Sequence, residues 1–174
     1  MESKAKLAGH PIHPMLIVFP LGLLATSLIF DVIRMASGSE SLGVASYWMI
    51  AAGVVGGLVA AVFGLVDWLA IPRNTRAWRI GALHGGGNVV VVVLFAVSWF
   101  LRGSDPAHAG SGPFAVSLIA VLLALVTGWL GGELVDRLGV GVYSGAHLDS
   151  PSSLGHRPAT EHWTPARTLH PRKA

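Results

Sequence analysis

The chain has 174 residues, of which 52% are hydrophobic and only 12% are charged, with a formal net charge of +3 and no cysteine. This composition excludes an ordinary soluble domain, in which about a quarter of the residues are charged. The lack of cysteine excludes disulfides, thiolate metal sites, iron–sulfur clusters and covalently attached c-type haem. Any bound metal or haem therefore needs nitrogen or oxygen ligands.

Four apolar runs dominate the chain up to Arg137, at 15–33, 45–71, 80–101 and 114–135. About 20 helical residues cross a hydrocarbon core of about 30 Å. Because every backbone amide in lipid must bond within its own segment, each run is predicted to be a helix. The first run is longer than the apolar part of a signal peptide and is read as a retained span. The sequence thus predicts an all-α, integral membrane four-helix bundle over residues 1–137.

Lysines and arginines are distributed unevenly among the connections between these runs. Only Arg34 and Arg102 lie in the first and third connections. The other ten fall before the first run, between the second and third, or after the fourth. The positive-inside rule then predicts a multi-pass protein of the bacterial inner membrane with both termini cytoplasmic. The basic charge reports this topology and attraction to the lipid bilayer, so no nucleic-acid partner is expected.

Residues 138–174 form a segment rich in glycine and proline that follows the last apolar run. Such a segment buries too little apolar surface to offset its ordering entropy. We expect a flexible cytoplasmic tail. Its four histidines have irregular spacing that matches no metal-ligand motif, which favours a solvated tail.

Each predicted helix carries one ionisable side chain near its cytoplasmic end. These are His13, Asp67, His84 and Glu133. At about 1.5 Å of rise per residue, all four lie at a similar level in the inner leaflet. Ionisable groups are costly to insert in a membrane, so a cluster of them is a candidate functional site.

Small residues accompany two members of this cluster. Asp67 ends a stripe at helical spacing that contains Gly64, Ala60, Gly57 and Gly53. His84 precedes three consecutive glycines and lies one turn before Asn88. These glycines favour either a planar ligand near the imidazole or close packing between helices alone.

The cluster suits three kinds of chemistry. Haem b could be ligated axially by His84 and by His13 or His10, with Asp67 accepting the other ring N–H and Asn88 nearby. A divalent metal such as iron or zinc could instead be bound by carboxylates and imidazoles. The shell for such an ion would be His10, His13, Asp67, His84 and Glu133. Proton handling is a third option, because histidine titrates near neutral pH. No pair of residues near the outer end continues such a relay, however, since Asp31 and Arg34 look like a local ion pair.

The two halves of the chain share a coarse plan, with a histidine early in the first helix of each half and an acid late in the second. His13 pairs in this scheme with Asp67, and His84 with Glu133. Both hairpins start on the same side, which is typical of a parallel duplication. No hydrolase, nucleotide-binding or dinucleotide-binding motif is present in the sequence.

Several short motifs together resemble those of one protein family. They are His10-Pro11-Ile12-His13-Pro14, Phe19-Pro20, Asp67-Trp68, Arg79 to His84 with Asn88, Gly131-Gly132-Glu133-Leu134-Val135 and Gly139-Val140-Gly141-Val142. The chain resembles the bacterial four-span membrane proteins called domain of unknown function 2231, over about residues 8–155. Relatives often have a histidine where this chain has Leu138, which argues against a ligand there. The resemblance implies a polytopic inner-membrane protein, and relatives that look fused or adjacent to Rieske-type modules favour a redox role.

Two functions follow as expectations. The first is a small membrane protein that binds haem b or a metal ion at the inner-leaflet cluster and passes electrons to a redox partner or quinone. The second is a non-catalytic helical scaffold or assembly partner, in which the polar cluster only ties helices together. Homo-oligomerisation is compatible with both.

Overall fold

The computed structural model describes residues 1–155 and 157–162. Five α-helices form its main part. They are α1 (Ile12–Leu16), α2 (Val18–Ser37), α3 (Glu40–Leu69), α4 (Arg76–Leu101) and α5 (Ser111–Gly132). A short antiparallel hairpin precedes them, made of β1 (Lys6–Leu7) and β2 (His10–Pro11). A π-helix at Glu133–Arg137 continues α5, and 3₁₀ turns lie at Pro106–His108 and Ser153–Gly155.

The predicted helical membrane fold is confirmed. Four helical segments are long and apolar enough to cross a membrane, namely Ile12–Ser37, Glu40–Leu69, Arg76–Leu101 and Ser111–Arg137. Each extends beyond its apolar run in the sequence, because helix continues through polar flanking residues such as Glu40 and Arg76. Thr75 fixes one such start, since its side chain accepts a hydrogen bond from Trp78 N at 3.1 Å.

The first membrane segment is interrupted between α1 and α2 at Ile17. Pro20 explains this position, because proline has no N–H to donate to the carbonyl of Leu16, one turn earlier. The segment ends at Gly38, whose φ of 74° is the left-handed conformation that closes many helices. The interruption separates His13 in α1 from the long helix α2.

The helices form an antiparallel bundle in which α2 contacts α3 and α5, and α4 contacts the same two helices. Consequently α2 and α4 lie diagonally across the centre. We call the end with His13 and His84 the histidine end, and the opposite end, with Asp31 and Arg102, the ion-pair end. The apolar core between them is formed by Leu24, Ile50, Val91, Phe95 and Ala120.

Most large apolar side chains point outward instead of into this core. Val62 and Leu125, for example, are 59% and 66% exposed. The centre meanwhile contains four fully buried serines, one from each long helix: Ser27, Ser46, Ser98 and Ser117. An apolar exterior around a partly polar interior is typical of a bundle whose outer surface faces lipid.

Buried positions repeat between the two halves. In α2, the first long helix of the first half, the buried residues include Leu24, Ser27 and Asp31. In the second half, Phe95, Ser98 and Arg102 are buried and follow them at one constant sequence separation. In the second helices, the buried set at 46, 50, 53 and 60 recurs with the same spacing at 113, 117, 120 and 127. The halves are therefore related by approximate two-fold symmetry about an axis along the bundle. In this register Asp67 corresponds to Leu134, so the sequence-based pairing of Asp67 with Glu133 is wrong.

The histidine end is covered by the N-terminal segment and the residues after the π-helix. The Met1 amino group donates to Gly139 O at 2.7 Å, and Gly141 N donates to Met1 O at 2.8 Å. Tyr143 Oη donates to Gly9 O at 2.6 Å. The first part of the predicted tail thus packs against the N-terminal segment, while residues 156 and 163–174 lie outside the described residues.

Candidate functional site

His13 is held between α1 and α3. Its Nδ1 lies 2.9 Å from Ala60 O, and its ring packs on Gly64. A Cβ at Gly64 would lie 2.9 Å from ring atoms of His13, too close for any side chain. Glycine at this position therefore lets the imidazole lie directly against the α3 backbone.

His84 repeats this arrangement between α4 and α5. Its Nδ1 lies 2.8 Å from Thr127 O, and a Cβ at Gly131 would lie 3.0 Å from its Cε1. In both halves the glycine lies one helical turn after the residue that supplies the carbonyl. In the alignment of α3 with α5, Ala60 corresponds to Thr127 and Gly64 to Gly131. The two histidines are thus equivalent residues with equivalent contacts to the backbone of the neighbouring helix.

These contacts fix which nitrogen of each ring meets the backbone. A backbone carbonyl can only accept a hydrogen bond, so Nδ1 of each imidazole donates to it, and Nε2 is the nitrogen without a backbone carbonyl. The ring centroids of His13 and His84 are 6.4 Å apart, with an interplanar angle of 89°. The structure therefore brings together two imidazoles from the two halves at the centre of the bundle.

Asn88 lies beside His84 and links it to α5. Its Nδ2 donates to His84 O at 2.9 Å and lies 3.4 Å from both ring nitrogens, which places it over the ring face. Thr127 Oγ1 donates to Asn88 Oδ1 at 3.0 Å. Asn88 therefore holds the backbone and the ring of His84 in one arrangement with α5.

Asp67 binds the N-terminal segment. Its carboxylate accepts from Ser3 Oγ at 2.8 Å, Lys4 N at 2.7 Å and Ala5 N at 3.3 Å. The role expected for Asp67, accepting the N–H of a histidine ring, is filled by the carbonyls of Ala60 and Thr127. The physical reason is that residues 3–5 fold back over the end of α3 and present two N–H groups and a hydroxyl.

The two remaining members of the predicted metal shell also have other surroundings. His10 is exposed, with Nδ1 3.2 Å from Ala8 O. Glu133 forms an ion pair with Arg76 at 2.6 Å. Across residues 1–155 and 157–162, no three His, Asp or Glu side chains are grouped so that they could hold a metal ion. The structure thus brings His13, His84 and Asn88 together, without Asp67, His10 or Glu133.

The glycines after His84 differ in their surroundings. Gly85 and Gly86 are exposed on the outer face of α4, and a Cβ added to either would have no described protein atom within 4 Å. A Cβ on Gly87, in contrast, would meet Thr127 Cγ2 at 2.5 Å. The open space expected beside the histidine is therefore on the lipid-facing side of α4. The stripe glycines at 53, 57 and 64 pack instead against side chains of α1, α2 and α4.

A second polar pair was missed by the sequence interpretation. Arg102 Nη1 and Nη2 donate to the two carboxylate oxygens of Asp31 at 2.8 and 2.6 Å, and both side chains are 1% exposed. Arg102 also donates to the hydroxyls of Ser46, Ser98 and Ser117, at 3.3–3.5 Å. The local pair expected between Asp31 and Arg34 is wrong, because Arg34 donates to Ala107 O and Ala109 O.

The signal for this pair was present in the sequence. Ser27 follows His13 at the same separation as Ser98 follows His84. Asp31 and Arg102 each come one helical turn after these serines. The repeat therefore predicts that Asp31 and Arg102 face each other wherever the two histidines do.

Comparison with known proteins identifies a family. Residues 9–144 match the family model described as "Predicted membrane protein (DUF2231)", which agrees with the resemblance seen in the motifs. No curated protein and no solved structure matches the chain. Since the family model covers most of the sequence and the fold has four candidate membrane spans, this chain belongs to the DUF2231 family of membrane proteins.

Proposed function

We propose that this protein binds one metal centre between His13 and His84. Haem b iron is the first candidate, and a single iron or zinc ion is the second. With haem b, the centre would pass electrons to a redox partner or quinone in the bilayer. We further propose that the histidine end faces the cytoplasm of a bacterial inner membrane, as the distribution of lysine and arginine favours.

One observation supports this proposal above all others: both Nδ1 atoms are bound to backbone carbonyls, so Nε2 of each ring is the nitrogen that could bind a metal. Metal-binding histidines in proteins almost always have their second nitrogen held in this way. Two separate carbonyls performing this task at symmetric positions favour a pair of ligands over two unrelated core histidines.

The spacing of the rings agrees with a shared metal. Metal–imidazole bonds are about 2.0–2.1 Å, so two rings that shared one ion would have centroids up to roughly 6 Å apart, and the observed separation is 6.4 Å. A haem additionally needs lateral room for its porphyrin. The exposed face at Gly85 and Gly86 is where the ring edge could extend toward lipid.

The experiment is an absorption spectrum combined with elemental analysis of the protein purified in mild detergent. A haem form shows a Soret band, and an iron or zinc form shows about one metal per chain without that band. We expect His84→Ala and His13→Ala each to remove the signal. His10→Ala is the matched control, because His10 belongs to the same motif but is exposed, and it should keep the signal. A colourless, metal-free wild-type protein at normal yield contradicts the proposal.

The scaffold function is favoured by a different observation. Asn88, Thr127 and Asp67 all have hydrogen-bond partners within the protein, as a purely structural network requires. In that case the double variant His13→Ala, His84→Ala loses thermal stability, while wild type and variant contain equally little metal and chromophore. The spectrum and the melting curve of the same samples separate the two functions.

A further inference from the structure

The last turn of the fourth membrane segment is unusual in its backbone. Residues Glu133–Arg137 form a π-helix, in which Leu138 N donates to Glu133 O, five residues earlier, at 3.2 Å. Widened turns of this kind are rare and occur frequently at functional sites, because they open space beside the helix. Here the turn borders a cavity of about 210 Å³ lined by Trp129, Gly132, Glu133, Asp136 and Arg137.

The charges around this cavity come in two pairs of opposite sign. Glu133 is already neutralised by Arg76, at 2.6 Å. Asp136 and Arg137 are both exposed, and neither forms a side-chain hydrogen bond or ion pair with another described residue. Within the described part of the chain, the cavity therefore offers one free carboxylate and one free guanidinium side by side, with a net charge near zero.

The cavity lies at the level where the membrane segment ends. Trp129, one turn deeper, is 66% exposed and stands on the outer face of α5 next to apolar residues such as Leu125. Tryptophan at this level is typical of the boundary between hydrocarbon and lipid headgroups. Its ring can also lie against an ammonium group, which is attracted to the face of an indole.

We infer that this cavity binds the headgroup of a zwitterionic phospholipid. The lipid phosphate pairs with Arg137, the ammonium lies between Asp136 and the Trp129 ring, and the acyl chains follow the outer face of α5. The near-zero net charge favours a zwitterion over an anionic lipid, for which one free arginine beside a carboxylate is a poor site. The cavity is also smaller than the roughly 300–1,000 Å³ of pockets that enclose drug-sized ligands, and it suits a headgroup.

The test is native mass spectrometry of the full chain, delipidated in detergent and titrated with phosphatidylethanolamine or phosphatidylglycerol of identical acyl chains. We expect one phosphatidylethanolamine to bind about tenfold more tightly than phosphatidylglycerol, the effect of one charge-assisted hydrogen bond. Asp136→Asn should remove most of this preference, because Asp136 contacts the ammonium, whereas Arg137→Gln should weaken the binding of both lipids, because both carry the phosphate. Asp149→Asn and Arg73→Gln are matched controls, because both residues are exposed and lie outside the cavity. Both variants should keep the wild-type affinities and the preference for phosphatidylethanolamine.

Three outcomes overturn the inference. The first is equal binding of the two lipids by the wild type, and the second is a preference that Asp136→Asn leaves unchanged. The third is binding of soluble phosphoethanolamine as tightly as the lipid, which would indicate a site for a free metabolite. Because Asp136 and Arg137 are exposed, the variants are expected to fold, and an unchanged melting temperature without lipid verifies this.

Discussion

Each end of the bundle has one pair of polar side chains, with one member from the first membrane segment and the other from α4 or its C-terminal end. The two pairs differ in their hydrogen-bond partners. Asp31 and Arg102 satisfy each other through two hydrogen bonds at the ion-pair end. His13 and His84 instead each donate through Nδ1 to a backbone carbonyl and form no described hydrogen bond with each other. Both carboxylate oxygens of Asp31 are thus paired, and only Nε of the Arg102 guanidinium lacks a described partner, whereas Nε2 of neither histidine is bonded to a backbone carbonyl. The same two-fold arrangement therefore holds opposite charges against each other at one end and two like side chains at the other, where we propose a ligand site.

The largest expected effect comes from breaking the buried ion pair. Arg102→Ala leaves the Asp31 carboxylate buried without its cation, which should lower the free energy of unfolding by about 3–5 kcal/mol. Denaturant unfolding in detergent measures this change. Arg34→Ala is the control, because Arg34 donates only to carbonyls of the neighbouring connection and should cost less.

An exchange of the two charges tests whether the pair itself is responsible. The double variant Asp31→Arg, Arg102→Asp should recover part of the stability that either single change loses. If Arg102→Ala and Arg34→Ala lower the free energy of unfolding equally, the buried ion pair contributes no more to stability than the contacts of Arg34 with backbone carbonyls.

At the histidine end, a methyl group on the glycine beneath an imidazole should disturb the pair. Gly131→Ala places a Cβ 3.0 Å from the His84 ring, so we expect a destabilisation of about 1–3 kcal/mol and loss of any bound metal. Gly128→Ala, one turn away, is the matched control and should have little effect, because its Cβ would lie more than 4 Å from every described atom outside the backbone of its own helix. Thermal unfolding and metal content of both variants report the difference. Similar behaviour of the two variants would mean that the ring position is not fixed by Gly131.

A smaller effect is expected where the N-terminal segment covers the histidine end. Asp67→Asn replaces an acceptor of three hydrogen bonds by an amide with one oxygen, and charge-assisted bonds to backbone N–H groups are lost. We expect a cost of about 1–2 kcal/mol. Amide exchange should become faster at Lys4 and Ala5 while the amides of α3 are unchanged. Unchanged exchange at Lys4 would show that Asp67 does not hold this segment.

The smallest effect concerns an exposed ion pair near the buried one. The hydrogen bond and the charge of Asp105, with a contribution from Glu40, raise the pKa of His108 above its ordinary value. A raised pKa in the folded state stabilises the fold below the unfolded pKa of about 6.5, and this contribution is lost as pH rises through the folded pKa. NMR titration should show a lower His108 pKa in Asp105→Asn than in wild type. An unchanged pKa would contradict the contact, and in either case stability should change far less than in Arg102→Ala, because solvent screens exposed pairs.

The membrane fold could be predicted from the sequence because it depends on run length and hydropathy, both of which are local. The approach of His13 to His84 also followed from depth along the helices. The partner of each polar group did not, because helical depth does not say which way a side chain turns. Asp67 turns outward to residues 3–5, and Arg34 turns to the carbonyls of residues 107 and 109, away from the nearby Asp31.

The repeat could have supplied the missing information. The sequence interpretation aligned the halves on Asp67 and Glu133, the acids near the ends of their second helices, and so did not detect the repeat. The sequence separation between equivalent residues is shorter for the second helices of the halves than for the first. The difference amounts to about one helical turn and is absorbed in the connections. Alignment on the histidines and serines would have paired Asp31 with Arg102 from sequence alone.

The two-fold relation between the halves also constrains how such a protein can be assembled. Two identical copies of one helical hairpin could meet around the same axis and still present a pair of histidines, because like imidazoles tolerate each other when neutral. They could not present an aspartate opposite an arginine, since each copy would bring the same charge to the axis and the two would repel. The buried ion pair therefore requires two hairpins of different sequence, and here one polypeptide supplies both. The ion pair also makes the two halves non-interchangeable, because a hairpin with the aspartate must face one with the arginine.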